Sequence, residues 1–347
     1  MEILFVLGNG FDLQLGLPTS YGDFYQYYQS VPTKSEAVKK LKTNISDDKK
    51  NWSDLEIALG NYTSCCESID EFCEAYDDIQ KELQNYLLKV DELIKSDAFD
   101  INANSETVIS GIVDPQRAFS PDIARAISHQ WNEIKEGQNS SDVMVNIVTF
   151  NYTHTIEHFI ERLESPRGRF VNRIIHLHRE ILPNYSIWLG VDNSVKIANT
   201  QFQDKEEVKY RLVKPLILEN SGGYDHVNCT SSIETADAIC IFGASLGDSD
   251  LTWAKRIFKR VVSGVPTLLF VKDNEQYLSD NQKLIAKNNH NRLLRDRFEQ
   301  LGLTSDESSM NLQIAINSDI FTDSTPNNHD ANLNILLNKL GVTPESE

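Results

Sequence analysis

Short apolar runs, rich in β-branched and aromatic residues, recur along the chain at 3–7, 145–150, 174–177, 238–242 and 267–271, and each ends in small or polar residues. Continuous apolar runs of this length suit strands covered on both faces, as in a parallel sheet. Between and after them the pattern takes a helical period. In 250–262, Leu251, Ala254, Ile257, Phe258 and Val261 share one side, with Lys255 and Lys259 on the other. Strand, polar turn, helix, strand predicts an α/β fold: a Rossmann-like parallel sheet with right-handed crossovers.

The first crossover is too long for one helix. Helical patterning runs through most of 20–138, with Phe72, Ala75, Tyr76, Ile79, Leu83, Tyr86 and Leu87 forming one stripe within 67–94. This predicts a large helical insertion between the first two strands. Within it, 102–121, with Pro115 inside and Pro121 at its end, reads as a loop. The stretch 182–228 follows neither period. The expected organisation is a discontinuous nucleotide-binding domain, 1–19 plus 139–303, a helical module, 20–138, and a polar tail, 304–347, with a short helix near 332–340. No internal repeat or low-complexity tract interrupts this pattern.

Charge narrows the class of partner. The 51 Asp and Glu residues against 33 Lys and Arg leave −18 over 347 residues, a surface that repels phosphate backbones and anionic membranes. Nucleic acid is therefore not an expected partner. Cys65, Cys66, Cys73, Cys229 and Cys240 are odd in number and lack CxxC spacing, so they read as reduced thiols of a cytoplasmic protein. At 3–7 the apolar run is preceded by Glu2 and stopped by Gly8, which reads as a strand and not a signal peptide. No stretch approaches the ~20 apolar residues of a membrane span.

Candidate chemistry gathers at the strand ends. After the first strand, Gly8-Asn9-Gly10-Phe11-Asp12 offers two glycines that permit positive φ and close approach of a ligand to backbone N–H groups, and Asp12 could accept from a ribose hydroxyl. The bland alternative is a tight strand-to-helix turn with Asp12 as its cap. Asn151 follows the second strand, where open α/β sheets collect ligands, although Asn151 or Thr153 could equally cap the next helix. His176 and His178 end the third strand, placed on one face by alternation. His178, nearest the strand end, could act as a general base or be a satisfied core histidine. After the fourth strand, Gly243 and Gly247 allow another tight turn, Ser245 and Asp248 present oxygens, and Ser249 or Asp250 is placed to cap the next helix. Small and polar groups at several strand ends together predict one nucleotide-sized cleft.

Two other patterns compete. His154-Thr155-Ile156-Glu157-His158 fits HxxEH, in which two histidines one helical turn apart hold zinc and the glutamate activates water. No distal third ligand accompanies it, and no metal is expected. Gly243 to Gly247 fits GxSxG, but Ser245 follows both His178 and Asp192, against the chain order of a nucleophile elbow.

Taken as an ordered set, Leu7-Gly-Asn-Gly-Phe-Asp12, Leu17-Pro-Thr-Ser-Tyr21, Trp52-Ser-Asp-Leu-Glu56, Phe150-Asn-Tyr-Thr153, His176-Leu-His178 and Gly243-Ala-Ser-Leu-Gly-Asp-Ser-Asp250 resemble the AbiH family. These are bacterial abortive-infection proteins of phage defence. That family is in turn distantly similar to sirtuin-like NAD-consuming defence domains, which pair a GAGxS turn with TNYD and LHG motifs. The resemblance implies an NADase-type hydrolase that binds NAD+ as substrate and cleaves its nicotinamide–ribose bond. Asn151 and His178 would be catalytic, and Gly8, Asn9, Gly10, Phe11, Asp12, Glu56, Gly243, Ser245, Asp248 and Asp250 would hold the nucleotide. Thr153 stands where those relatives have Asp, and Arg179 where they have Gly. Such an activity must be held off until infection, by homo-oligomer formation or by a phage-encoded trigger. A non-catalytic nucleotide sensor and a zinc hydrolase remain the alternatives.

Overall fold

The computed structural model describes residues 1–96, 99, 101–137, 143–161, 171–220, 224–272, 279–303, 311–318, 320–321 and 329–342. Strand β1 (Glu2–Leu7) is followed by helices α1 (Gly10–Gln14), α2 (Tyr21–Ser30), α3 (Glu36–Asp47), α4 (Leu55–Tyr62), α5 (Ile69–Ile94), α6 (Ile101–Val113) and α7 (Pro121–Glu136). The remaining strands are β2 (Met144–Thr149), β3 (Val171–His176), β4 (Ala238–Phe242), β5 (Thr267–Val271) and β6 (Leu312–Ile316). Helix α8 (Thr155–Glu161) follows β2; α9 (Glu206–Leu212), α10 (Lys214–Asn220) and α11 (Tyr224–Thr235) lie between β3 and β4. Helices α12 (Leu251–Val262), α13 (Asp280–Gln300) and α14 (His329–Lys339) complete the chain.

The six strands form one parallel sheet in the order β3-β2-β1-β4-β5-β6, the arrangement in which two mononucleotide-binding halves meet at the β1/β4 boundary. The helical insertion between β1 and β2 is present as predicted. Alternation along the strands divides their side chains between two cores. Phe5, Leu7, Ile147 and Phe242 face the inserted helices, packing with Phe72, Tyr86 and Val90 of α5. Leu4, Val6, Ile239 and Ile241 face the other way, onto Ile233 of α11 and Trp253, Ile257 and Val261 of α12. Each face buries an apolar stripe, which is why the strands read as unbroken apolar runs. Among the described residues no helix is long and apolar enough to cross a membrane.

Several features depart from the sequence reading. The expected loop at 102–121 is mostly helix: α6 buries Val108, Ile109 and Ile112, and Pro115 ends it by opening a short 3-10 turn, Pro115–Ala118. Strand β6 lies at the sheet edge, where partial exposure of Leu312 and Gln313 weakens its apolar signature. Helix α13 buries so little, chiefly Ala286 and Phe298, that its helical period is faint. The unpatterned stretch after β3 becomes turns and the short helices α9 to α11, and the tail helix begins at His329, earlier than expected. The expected boundaries at 138/139 and 303/304 each adjoin residues outside those described.

Candidate functional site

At the β1/β4 boundary the turns after the two strands touch backbone to backbone. A Cβ on Gly8 would lie 2.4 Å from Ala244 Cα, one on Gly10 2.5 Å from Gly243 Cα, and one on Gly243, whose φ is +64°, 2.6 Å from Gly10 Cα. The glycines are thus required by the mutual approach of two loops. The expected cradle of N–H groups at Gly8 to Phe11 is largely used internally: Gly8 donates to Phe242 O, Gly10 to Gly243 O and Phe11 to Gly8 O, at 2.9–3.0 Å. Asn9 is tied to Thr19, its amide donating to Thr19 O at 2.9 Å and accepting from Thr19 Oγ1 at 2.6 Å. Phe11 points away into the core, edge-on to Phe242 and Phe321. In the β4 loop, by contrast, the N–H groups of Ala244, Ser245, Leu246 and Gly247 have no hydrogen-bond partner among the described residues. Positive φ at Gly243 and Leu246 curves this segment, and curved runs of free N–H groups suit anions.

Asp12 and Asn151 form the first polar unit. Asp12 Oδ1 accepts from Asn151 Nδ2 at 3.0 Å, and Oδ2 accepts from Thr153 Oγ1 at 2.6 Å. All three side chains are buried. Burial pushes the Asp12 carboxyl up to about 7, although hydrogen bonds from Thr153 and Asn151 oppose the rise. Asp12 therefore does not cap α1; it fixes the Asn151 amide. That leaves Asn151 Oδ1 without a partner among the described residues, a buried acceptor beside the cleft.

The second unit is a buried tetrad. His178 Nε2 lies 2.7 Å from Asp250 Oδ1 and 3.1 Å from Lys214 Nζ, and Lys214 Nζ donates to the same Asp250 oxygen at 2.7 Å and to Glu56 Oε2 at 2.9 Å. Glu56 Oε1 also accepts from Tyr152 Oη at 3.3 Å and Gly190 N at 3.4 Å. Burial raises the Glu56 carboxyl, outweighing Lys214; burial would raise Asp250 too, but the charges of Lys214 and His178 pull it below the usual range. When Nε2 carries the proton shared with Asp250, the lone pair of a neutral imidazole lies on Nδ1, 4.0 Å from Glu56 Oε1.

Sequence reasoning placed Asp250 as a helix cap. Its carboxylate instead serves the tetrad, and Asp192 takes over the helix terminus, accepting from Thr252 N at 2.8 Å. Lys214 went unnoticed, yet its signal is readable: it is the one charged residue in the apolar run 212–218.

The remaining candidates separate from these units. Asp248 is paired with Lys196 at 2.9 Å and Arg297 at 2.7 Å, and those cations hold its carboxyl down. Exposed Ser245 makes no hydrogen bond to His178, so GxSxG assembles no triad. His176 and His178 do not share a face: β3 ends at His176, whose ring bonds Asn151 O at 2.8 Å and Glu157 at 2.7 Å. In HxxEH, both ring nitrogens of His154 are occupied, by Asp91 at 2.5 Å and Glu180 at 2.9 Å. Among the described residues the group spaced to hold a metal is instead Glu56, His178 and Asp250. Arg179 has φ +64°, the conformation a glycine favours, and its guanidinium lies over the Tyr185 and Trp188 rings.

Gly8, Asn9, Gly10, Asp12, Glu56, Asn151, His178, Gly243, Ser245 and Asp250 line one cleft of about 1800 Å³, ample for a dinucleotide-sized ligand. It lies at the carboxyl ends of β1, β2 and β4. The family model described as "Bacteriophage abortive infection AbiH" matches residues 4–271, more than half of the chain. No curated protein matches it.

Proposed function

The chain belongs to the AbiH family of bacteriophage abortive-infection proteins, and from that premise we propose that it acts in phage defence by binding NAD+ in the strand-end cleft and cleaving the nicotinamide–ribose bond. The observation that carries this reading is a pairing within one cleft. A buried amide oxygen, Asn151 Oδ1, has no partner, and a histidine, His178, is oriented by a carboxylate with one ring nitrogen open.

In this reading Asn151 Oδ1 accepts from a ribose hydroxyl or from the attacking water. As the C1′–N bond breaks, its electron pair returns to the nicotinamide ring nitrogen and neutralises the pyridinium. The sugar passes through an oxocarbenium-like state, favoured by nearby carboxylates. Water adds to C1′, and its proton goes to His178 Nδ1, with Asp250 holding the imidazolium that forms. The phosphates are taken by the free N–H groups from Ala244 to Gly247, with the turn at Gly8 supporting that loop from behind.

Purified protein incubated with NAD+ is expected to release nicotinamide. Asn151→Ala and His178→Ala are expected to lower that rate by about 10²-fold or more, the usual contribution of a positioned acid–base group. Stabilisation by NAD+ without nicotinamide release would favour a nucleotide sensor. Release that is unchanged in both variants would place the chemistry elsewhere.

A further inference from the structure

A lysine is seldom taken fully out of water, because burial penalises its charge. Lys214 is buried at the start of α10, with Nζ 2.7 Å from Asp250 Oδ1, 2.9 Å from Glu56 Oε2 and 3.1 Å from His178 Nε2. The ammonium thus sits among two carboxylates and an imidazole. Those side chains each present a donor atom, and the donors lie within 4.8 Å of one another. Two carboxylates and one imidazole are a common donor set for a divalent ion with an open coordination position. Contraction by about an ångström would bring them to metal–ligand distances near 2.0–2.2 Å.

We propose that Glu56, His178 and Asp250 form a cation site whose resident cation is the Lys214 ammonium, so that removing the lysine converts the cleft into a divalent-metal site. The surroundings support this. A tethered ammonium fills the site without depending on free ion, and its length sets how far apart the two carboxylates stand. Tyr152 and Gly190 donate to the rear oxygen of Glu56, so the carboxylate is aimed before any cation arrives.

The test is cobalt binding, followed by equilibrium dialysis and the visible d–d spectrum, on wild type, Lys214→Met and Lys214→Met/His178→Ala. The single variant is expected to hold one Co²⁺ more per chain than wild type, at least about tenfold more tightly than any ion wild type takes there. The double variant is expected to lose it. Cobalt should raise the melting temperature of the single variant only. A folded Lys214→Met protein that takes no more cobalt than wild type would overturn the proposal. So would a wild-type ion, bound as tightly as that of the single variant, that His178→Ala removes. Should Lys214→Met fail to fold without metal, Lys214→Gln, which keeps a donor to the carboxylates, is titrated identically; absence of a His178-dependent ion there overturns the proposal. The readout is metal, so the result is independent of whether NAD+ is cleaved.

Discussion

Asp12 shows how burial changes what a side chain can do. With its carboxyl raised to about 7 by desolvation, the folded chain binds a proton there that the unfolded chain has released, anywhere between about pH 4 and pH 7. Stability is therefore expected to fall as pH rises through that window, by up to about 4 kcal/mol from this group. Asp12→Asn should flatten that part of the profile in denaturant melts at several pH values. The His154–Asp91 pair has the same sense in a more alkaline window. A hydrogen bond donated to the Asp91 carboxylate raises His154 to about 9, so its contribution is complete below about pH 6.5 and lost as pH rises through 9. His154→Gln is expected to remove an alkaline loss of about 3 kcal/mol. A melt series showing the same alkaline slope in variant and wild type would contradict this assignment. At this scale the sequence was informative about which residues gather, since Asn151, His178 and Glu56 all line the cleft. It was silent on partnerships: nothing in residue order shows that Asp12 serves Asn151, or that Lys214 reaches Glu56 across 158 positions.

Among elements, the decisive contact is between two turns. The glycines after β1 were read as room for a ligand; the structure gives that room to the β4 loop. Gly243→Ala combines a left-handed φ with a Cβ pressed on Gly10 backbone, and is expected to destabilise the fold by roughly 3 kcal/mol. Gly247→Ala, whose nearest neighbour is the flexible Ser245 side chain at 3.5 Å, is expected to be nearly neutral. Chemical denaturation of the two variants measures the difference, and equal effects would show that the loops do not constrain each other. Strands β1, β2, β4 and β5 were legible because burial on both faces writes an unbroken apolar run. Helix α6 was not, because its polar first half hides the later stripe of Val108, Ile109 and Ile112. Edge position obscured β6 for a related reason: a strand with one neighbour needs less apolar surface.

At the scale of the whole molecule, the inserted helices do more than decorate the sheet. Their core is continuous with one sheet face, and specific bonds cross the join: Tyr86 Oη to Pro18 O at 2.8 Å, Tyr76 Oη to Leu189 O at 2.7 Å, and His154 N to Asp91 Oδ1 at 3.0 Å. Helix α4 of the insertion also brings Glu56 into the tetrad. Sheet and insertion are therefore expected to unfold in one transition by calorimetry, and two resolved transitions would contradict the shared core. The net charge of −18 gives the cleft no long-range attraction for an anionic ligand, so the proposed recognition of NAD+ would rest on local groups: the β4 loop amides and the Asn151 oxygen. That recognition is tested most directly by the NAD+ content of phage-infected cells that the protein protects, measured alongside cells carrying Asn151→Ala or His178→Ala. The expected result is collapse of NAD+ after infection with wild type, and preserved NAD+ with failed protection in both variants. Protection by wild type with NAD+ unchanged would contradict the account.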